Sequence, residues 1–231
     1  MPEKKLLIGE GDVVSVDYVA RVKESNEIFD LTLERTAKKE KVWNEKRRYE
    51  PRILVLGKGM IVKGVEKALI GKREGDNFKV EVDPEQGFGR RDASLLKIIP
   101  LKEFKRRDML PYPGMRVDFE GLLGTIRSVT GGRVVVDFNH PLAGKALSYE
   151  IWVRKVFRGR KEKIRAIIKL YAGEELDFSL VKNSIKVIIP KDKDLLKPQK
   201  ERIFEDLSTL ARIKMVEFVH LFEKDKNIKS N

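Results

Sequence analysis

The run Leu56-Gly57-Lys58-Gly59-Met60-Ile61-Val62-Lys63-Gly64-Val65-Glu66-Lys67-Ala68-Leu69 leaves the chain few ways to fold around it. A buried strand ends in a glycine-containing turn, two β-branched apolar residues follow, and a short amphipathic helix restarts at Gly64. Val65, Ala68 and Leu69 fall on one face of that helix, and Glu66, Lys67 and Lys72 point the other way. Ile61 and Val62 therefore stand where a strand hands over to a helix. Apolar side chains at such a junction either plug the end of a sheet or floor an apolar substrate pocket.

Composition narrows what surrounds this segment. A chain of 231 residues accommodates one large domain or about two to three small ones. Its 41% hydrophobic content supplies packed cores and excludes wholesale disorder. No apolar run approaches the roughly 20 residues that span a bilayer. Met1-Pro2-Glu3-Lys4-Lys5 leads into a charged strand without a signal-peptide core. The expectation is a cytoplasmic protein with no membrane partner. The absence of cysteine agrees with a reducing compartment and excludes disulfides, thiol catalysis and thiolate metal sites. Charged residues reach 37%, rich in Lys and Glu, a pattern typical of proteins from hot environments. The net charge of +13 invites a nucleic-acid reading. The excess is nevertheless spread, with +3 over residues 91–140, +6 over 157–231 and +4 elsewhere. A generally basic surface is favoured, with weak ribosome or RNA association as a secondary partner.

Hydrophobic periodicity divides the chain into three parts. Residues 11–22 alternate as a strand with one buried face, Ile28-Phe29-Asp30 resumes an extended path, and 31–51 form a charge-dense loop with one helical turn around Glu34–Lys41. Arg52–Leu56 feeds the opening segment, and Asn77–Val82 alternates cleanly as a further strand. Pro84-Glu85-Gln86-Gly87-Phe88-Gly89 is a bend carrying an aromatic at its tip. From Asp92 to Phe138 the texture changes. Short linking elements, Ala93–Ile98 and Lys102–Arg107, are broken by prolines and followed by strands Arg116–Glu120, Leu122–Val129 and Arg133–Phe138, the last two meeting at Gly131-Gly132. Ser148–Val156 gives one more long strand, with Tyr149, Ile151 and Val153 on one side. In the last 75 residues, Ile164–Tyr171 follow helical spacing and Phe178–Leu180 and Ile185–Ile189 turn at Asn183-Ser184. After a charged linker, Pro190–Pro198, the residues Ile203, Leu207, Leu210, Ala211, Met215, Phe218 and Phe222 read as one helical stripe over about five turns. A helix–hairpin–helix unit of this size buries little by itself. It either pairs with a second copy or packs on its own hairpin.

The usual catalytic machinery is missing. His140 and His220 lack metal-binding spacing, Gly57-Lys58-Gly59 lacks the remaining elements of a phosphate loop, and no serine has a nearby base. No cofactor or metal is expected.

Several motifs, taken in order, carry a family resemblance. Val16-Asp17-Tyr18, Ile28-Phe29-Asp30, Leu56–Leu69, Lys72-Arg73-Glu74-Gly75-Asp76 and Gly87-Phe88-Gly89 resemble the pattern of FKBP-type peptidyl-prolyl isomerases. Val134-Val135-Val136-Asp137-Phe138-Asn139-His140-Pro141-Leu142-Ala143-Gly144-Lys145 resembles the return from the insert-in-flap domain of the SlyD-like subgroup, and with its C-terminal module the chain is similar to the long archaeal members. The resemblance covers about residues 8–156. It implies an α+β fold: an antiparallel half-barrel sheet wrapped on a short helix, an inserted small β domain and a C-terminal α+β module. The implied boundaries are 1–91 with 139–156 for the isomerase domain, 92–138 for the chaperone insert and 157–231 for the C-terminal module, a possible dimerisation unit.

The implied activity is prolyl cis/trans isomerisation in unfolded, proline-containing polypeptides. The resemblance assigns Tyr18, Phe29, Asp30, Ile61, Val62 and Phe88 to the catalytic cleft and Tyr149 and Val65 to substrate binding, Val65 standing at the cleft floor where many members carry tryptophan. A non-catalytic holdase is the alternative from another class. In the insert, Leu110, Tyr112, Met115, Phe119 and Leu122 are the expected client-binding residues, since flexible and aromatic apolar groups on a small β unit can receive unfolded strands. The same residues could equally form that unit's own core.

Overall fold

The computed structural model describes residues 7–119 and 121–221 of the chain. The first sheet uses β1 (Val13–Val22), β2 (Ile28–Leu31), β3 (Arg52–Val55), β4 (Asn77–Val82) and β9 (Leu147–Phe157). Its order is β2-β1-β9-β4, and β3 adds to β1 beside its N-terminal half. All of its pairings are antiparallel. Between β2 and β3 lies α1 (Glu34–Lys39), and between β3 and β4 lies α2 (Lys63–Leu69).

Alternation along β1 decides what each face meets. Val14, Val16, Tyr18 and Ala20 enter a core with Leu147, Tyr149, Ile151 and Val153 of β9 and with Val65 and Leu69 of α2. On the opposite face, Val19 packs with Leu31 and Ala37 under α1. The same face carries the buried Asp17 carboxylate, which accepts from Thr32 Oγ1 at 2.6 Å and from Arg154 Nε at 2.6 Å. Helix α2 lies close on β4 because residue 64 is glycine. A Cβ there would stand 2.7 Å from Val82 Cγ1.

Between β4 and β9 the chain builds a second sheet, in the order β5-β8-β7-β6, from β5 (Leu96–Pro100), β6 (Arg116–Phe119), β7 (Leu122–Thr130) and β8 (Arg133–Asp137). Helix α3 (Leu101–Lys105) places Phe104 at the centre of its core, among Val117, Ile126, Val134 and Val136. Gly131 and Gly132, both at positive φ, turn β7 into β8 as the dipeptide predicts. The segments read as linking elements overlap β5 and α3. Alternation fails to mark β5 because four of its five residues are exposed.

The C-terminal unit comprises α4 (Arg160–Ala172), β10 (Phe178–Val181), β11 (Ser184–Pro190), α5 (Lys197–Ala211) and β12 (Met215–Leu221). Here the long final helix of the sequence reading is corrected. Helix α5 stops at Ala211, Arg212 takes the left-handed conformation, and Met215–Leu221 form a strand parallel to β11. Phe218 therefore sits on a strand, and Phe222 lies outside the described residues. Met215 and Phe218 stand three apart, which fits a helical stripe, but on the strand they take opposite faces, and Phe218 packs inward with Val216 while Met215 is exposed. The unit also packs on the first sheet: Val13 and Val55 share one cluster with Ile164, Ile167, Ile203 and Leu207.

Candidate functional site

One opening, about 690 Å³ in volume, lies over the core-facing side of the first sheet at the N-terminus of α2. Tyr18 on β1 and Tyr149 on β9 lie on the same face of neighbouring strands with ring centroids 5.9 Å apart. Ala20 pairs with Asp30 and Arg21 with Ile28, so Phe29 is the extra residue of a β-bulge. In a regular strand, successive side chains take opposite faces. The bulge re-aims one of them, and Phe29 and Asp30 both reach the opening. Phe29 meets Tyr149 edge-on at 5.9 Å and Phe88 edge-on at 6.1 Å. Met60, Ile61 and Val62, delivered by the glycine turn before α2, complete the apolar lining.

The polar groups gather on one rim. Tyr18 Oη donates to Asp30 Oδ2 at 2.5 Å, and Arg52 Nη1 donates to the same Tyr18 oxygen at 3.1 Å. Arg52 also donates to the Met60 carbonyl at 3.1 Å, which fastens the turn that carries Ile61. Arg47 pairs with Asp30 Oδ1 and donates to the Leu31 carbonyl. Burial pushes the Tyr18 phenol up to about 12, helped by the Asp30 carboxylate that it serves as donor. Burial raises the Tyr149 phenol as well, with the Tyr18 and Asp30 charges acting in the same sense. Both tyrosines are accordingly neutral at physiological pH, so their rings form an uncharged floor beside an ion-paired rim.

All six residues named as catalytic line this opening, together with Tyr149. Val65 is corrected. It is fully buried in the core beneath the opening and is absent from its lining, because helical spacing turns residue 65 inward where 61 and 62 face out. Of the insert residues, Met115 and Phe119 pack against the Phe104 core, whereas Leu110, Tyr112 and Leu122 are exposed by 82%, 62% and 61% and stand apart from the opening.

Sequence reasoning missed Arg52, Met60, His140 and Leu142 as lining residues. His140 stacks flat on Phe88, with centroids 4.4 Å and planes 4° apart, and its Nδ1 accepts from the Leu142 N–H at 3.1 Å. The only signal for it was its place in the Asn139–Lys145 run. Among the described residues no group of three or more His, Asp or Glu side chains is arranged to hold a metal.

Comparison with known proteins follows this geometry. A family model described as FKBP-type peptidyl-prolyl cis-trans isomerase matches residues 5–104, and one described as FKBP26, IF domain matches residues 97–142. A short-type peptidyl-prolyl cis-trans isomerase of Methanocaldococcus jannaschii is 39% identical over 150 residues, covering 65% of this chain and 94% of the relative. An FKBP-type peptidyl-prolyl cis-trans isomerase SlyD of Treponema pallidum is 36% identical over 119 residues, covering 49% and 66%. An FKBP-type 16 kDa peptidyl-prolyl cis-trans isomerase of Escherichia coli is 28% identical over 113 residues, covering 46% and 74%.

Proposed function

The chain belongs to the FKBP-type peptidyl-prolyl cis-trans isomerases, and on that premise we propose that its cleft accelerates X–Pro isomerisation in unfolded clients by binding the twisted amide without touching it covalently. Rotation breaks amide conjugation against a barrier of about 20 kcal/mol. The twisted amide is less dipolar than the planar one, so a dry apolar wall binds it in preference. The observation that carries this reading is the convergence of Phe29, Ile61, Val62, Phe88 and Tyr149 on one opening. In this scheme the rings enclose the proline, and the Ile61 N–H anchors a client carbonyl. Asp30, held by Tyr18, Arg47 and Arg52, fixes the rim against which the amide turns.

A protease-coupled proline tetrapeptide assay tests it. Phe29→Ala removes two edge-on ring contacts, a loss of about 1.4 kcal/mol in transition-state binding, and kcat/KM is expected to fall about tenfold with the fold intact. Asp30→Ala is expected to lower it in the same direction. A wild-type chain that binds unfolded protein but turns over no proline peptide would establish the holdase instead.

The second sheet serves this reaction as a chaperone unit. Its exposed Ile98, Leu110, Tyr112, Leu122 and Leu123 support docking of unfolded segments, and tethering a client beside the cleft raises its effective concentration. The C-terminal unit exposes Val181, Leu196, Phe204, Met215 and Leu221, which supports pairing of two copies through that unit. Sedimentation of the full chain is expected to give twice the monomer mass, and a monomer throughout would remove this part of the proposal.

A further inference from the structure

Lys58 occupies the turn between Gly57 and Gly59, both at positive φ, two residues before Met60 enters the cleft lining. Its ammonium crosses to α5 of the C-terminal unit, where it meets Asp206 Oδ1 at 3.1 Å and Glu205 Oε1 at 3.6 Å. Asp206 is only 2% exposed, and its other oxygen accepts from Tyr171 Oη of α4 at 2.7 Å. A buried carboxylate needs its partners, so this contact has a defined geometry that a solvated surface pair lacks. Met60, the next side chain, lines the cleft and packs against both the cleft core and the C-terminal core. A second tie runs to the opposite wall. Arg48 donates to the Gly173 carbonyl at the end of α4 at 3.2 Å, and Lys169 pairs with Glu50 at 3.4 Å. Arg47 and Arg52, which hold Asp30 and Tyr18, flank these contacts.

We propose that Lys58 and Asp206 are positioning residues for isomerisation: the C-terminal unit holds the glycine turn through this pair and thereby sets Met60, Ile61 and Val62 against the substrate. The two glycines give the turn little stiffness of its own, so an external anchor is what fixes the floor. Displacements of about 1 Å at a reacting centre are costly to rate even when the altered residue is remote. The proposal rests on the isomerase reading of the cleft.

The experiment uses the full chain and five variants, each assayed on a proline tetrapeptide at a temperature where circular dichroism shows it folded. Lys58→Met and Asp206→Asn are each expected to lower kcat/KM about tenfold, and the double variant no further, because both act through one contact. Lys58→Arg keeps the charge and restores the rate. Ile185→Val trims the C-terminal core without removing a partner of Lys58 or Asp206, so it lowers the melting temperature and leaves kcat/KM unchanged. The Ile61 and Val62 amide resonances should shift in Lys58→Met and stay in place in Ile185→Val. An active wild type matched by Lys58→Met overturns the coupling alone, as does Ile185→Val losing as much activity as Lys58→Met. A wild type without turnover overturns the isomerase reading and this one with it.

Discussion

Phe104→Ala is expected to melt the second sheet while the cleft stays assembled. Phe104 is fully buried at the centre of a small core whose other buried hydrophobics, among the described residues, are Val117, Ile126, Val134 and Val136. Truncating a buried phenylalanine costs about 3–5 kcal/mol, and a single small core of this kind supplies about 3–5 kcal/mol in total. The two magnitudes are equal, so the substitution removes essentially all the stability that the unit has. The core of the first sheet shares none of these residues. Thermal unfolding should therefore show the second sheet already lost and the first sheet retained. Tetrapeptide turnover should remain near the wild-type rate, while turnover in an unfolded protein client drops. Equal losses on both substrates would count against separate roles for cleft and insert.

Acid is expected to release the same unit through Asp137. This carboxylate ends β8 and is 2% exposed. It accepts from Arg127 Nη2 at 2.7 Å, pairs with Arg91, and accepts from the backbone and side chain of Asn139 at 3.0 and 2.8 Å. Asn139 and Asp92 exchange two further bonds, Asp92 N–H to Asn139 Oδ1 at 2.8 Å and Asn139 Nδ2 to the Asp92 carbonyl at 2.9 Å, so the two chain crossings are tied together here. Burial by itself would raise the Asp137 pKa. The hydrogen bonds from Asn139 and Arg127 and the Arg91 charge outweigh it and hold the group below the ordinary aspartate value. A carboxyl depressed in the folded state contributes stability above its unfolded pKa of about 3.9 and loses that contribution as pH falls through the lower folded value. Melting curves from pH 6 down to pH 2 should show the second sheet losing stability at the acid end of this range. Asp137→Asn is expected to cost about 2 kcal/mol at neutral pH and to flatten the acid dependence. An unchanged acid profile in Asp137→Asn would show that another group controls it.

In the first sheet β4 and β9 were legible because each buries one face and so alternates, whereas β1, read with one buried face, buries both, with nine of its ten residues buried. The Leu56–Leu69 run announced its turn and helix through glycine placement and a one-sided apolar stripe. Alternation could not reveal that Phe29 and Asp30 share a face, because a bulge is a property of pairing between two strands. That pair entered the site through family resemblance alone. Arg52 and His140 escaped for a related reason. Their roles depend on reaching Tyr18 and Phe88, partners 34 and 52 positions away, and no local pattern encodes such contacts. Val65 shows the converse case, a residue assigned to the cleft floor by position in a family pattern and buried in the core beneath the opening. In the C-terminal unit, the three-residue step from Met215 to Phe218 continued a helical stripe and hid β12.

The pairing of β1 with β9 along its whole length has a consequence for how this enzyme is made. The strand that completes the cleft's sheet emerges from the ribosome only after all of the second sheet, whose own pairings join neighbours in the chain or strands a few tens of residues apart. Short-range contacts close faster than distant ones. During synthesis the nascent chain therefore exposes the second sheet ahead of a complete cleft. A peptidyl-prolyl isomerase thus depends, in its own folding, on joining Val13 to Phe157, the longest-range pairing of its first sheet.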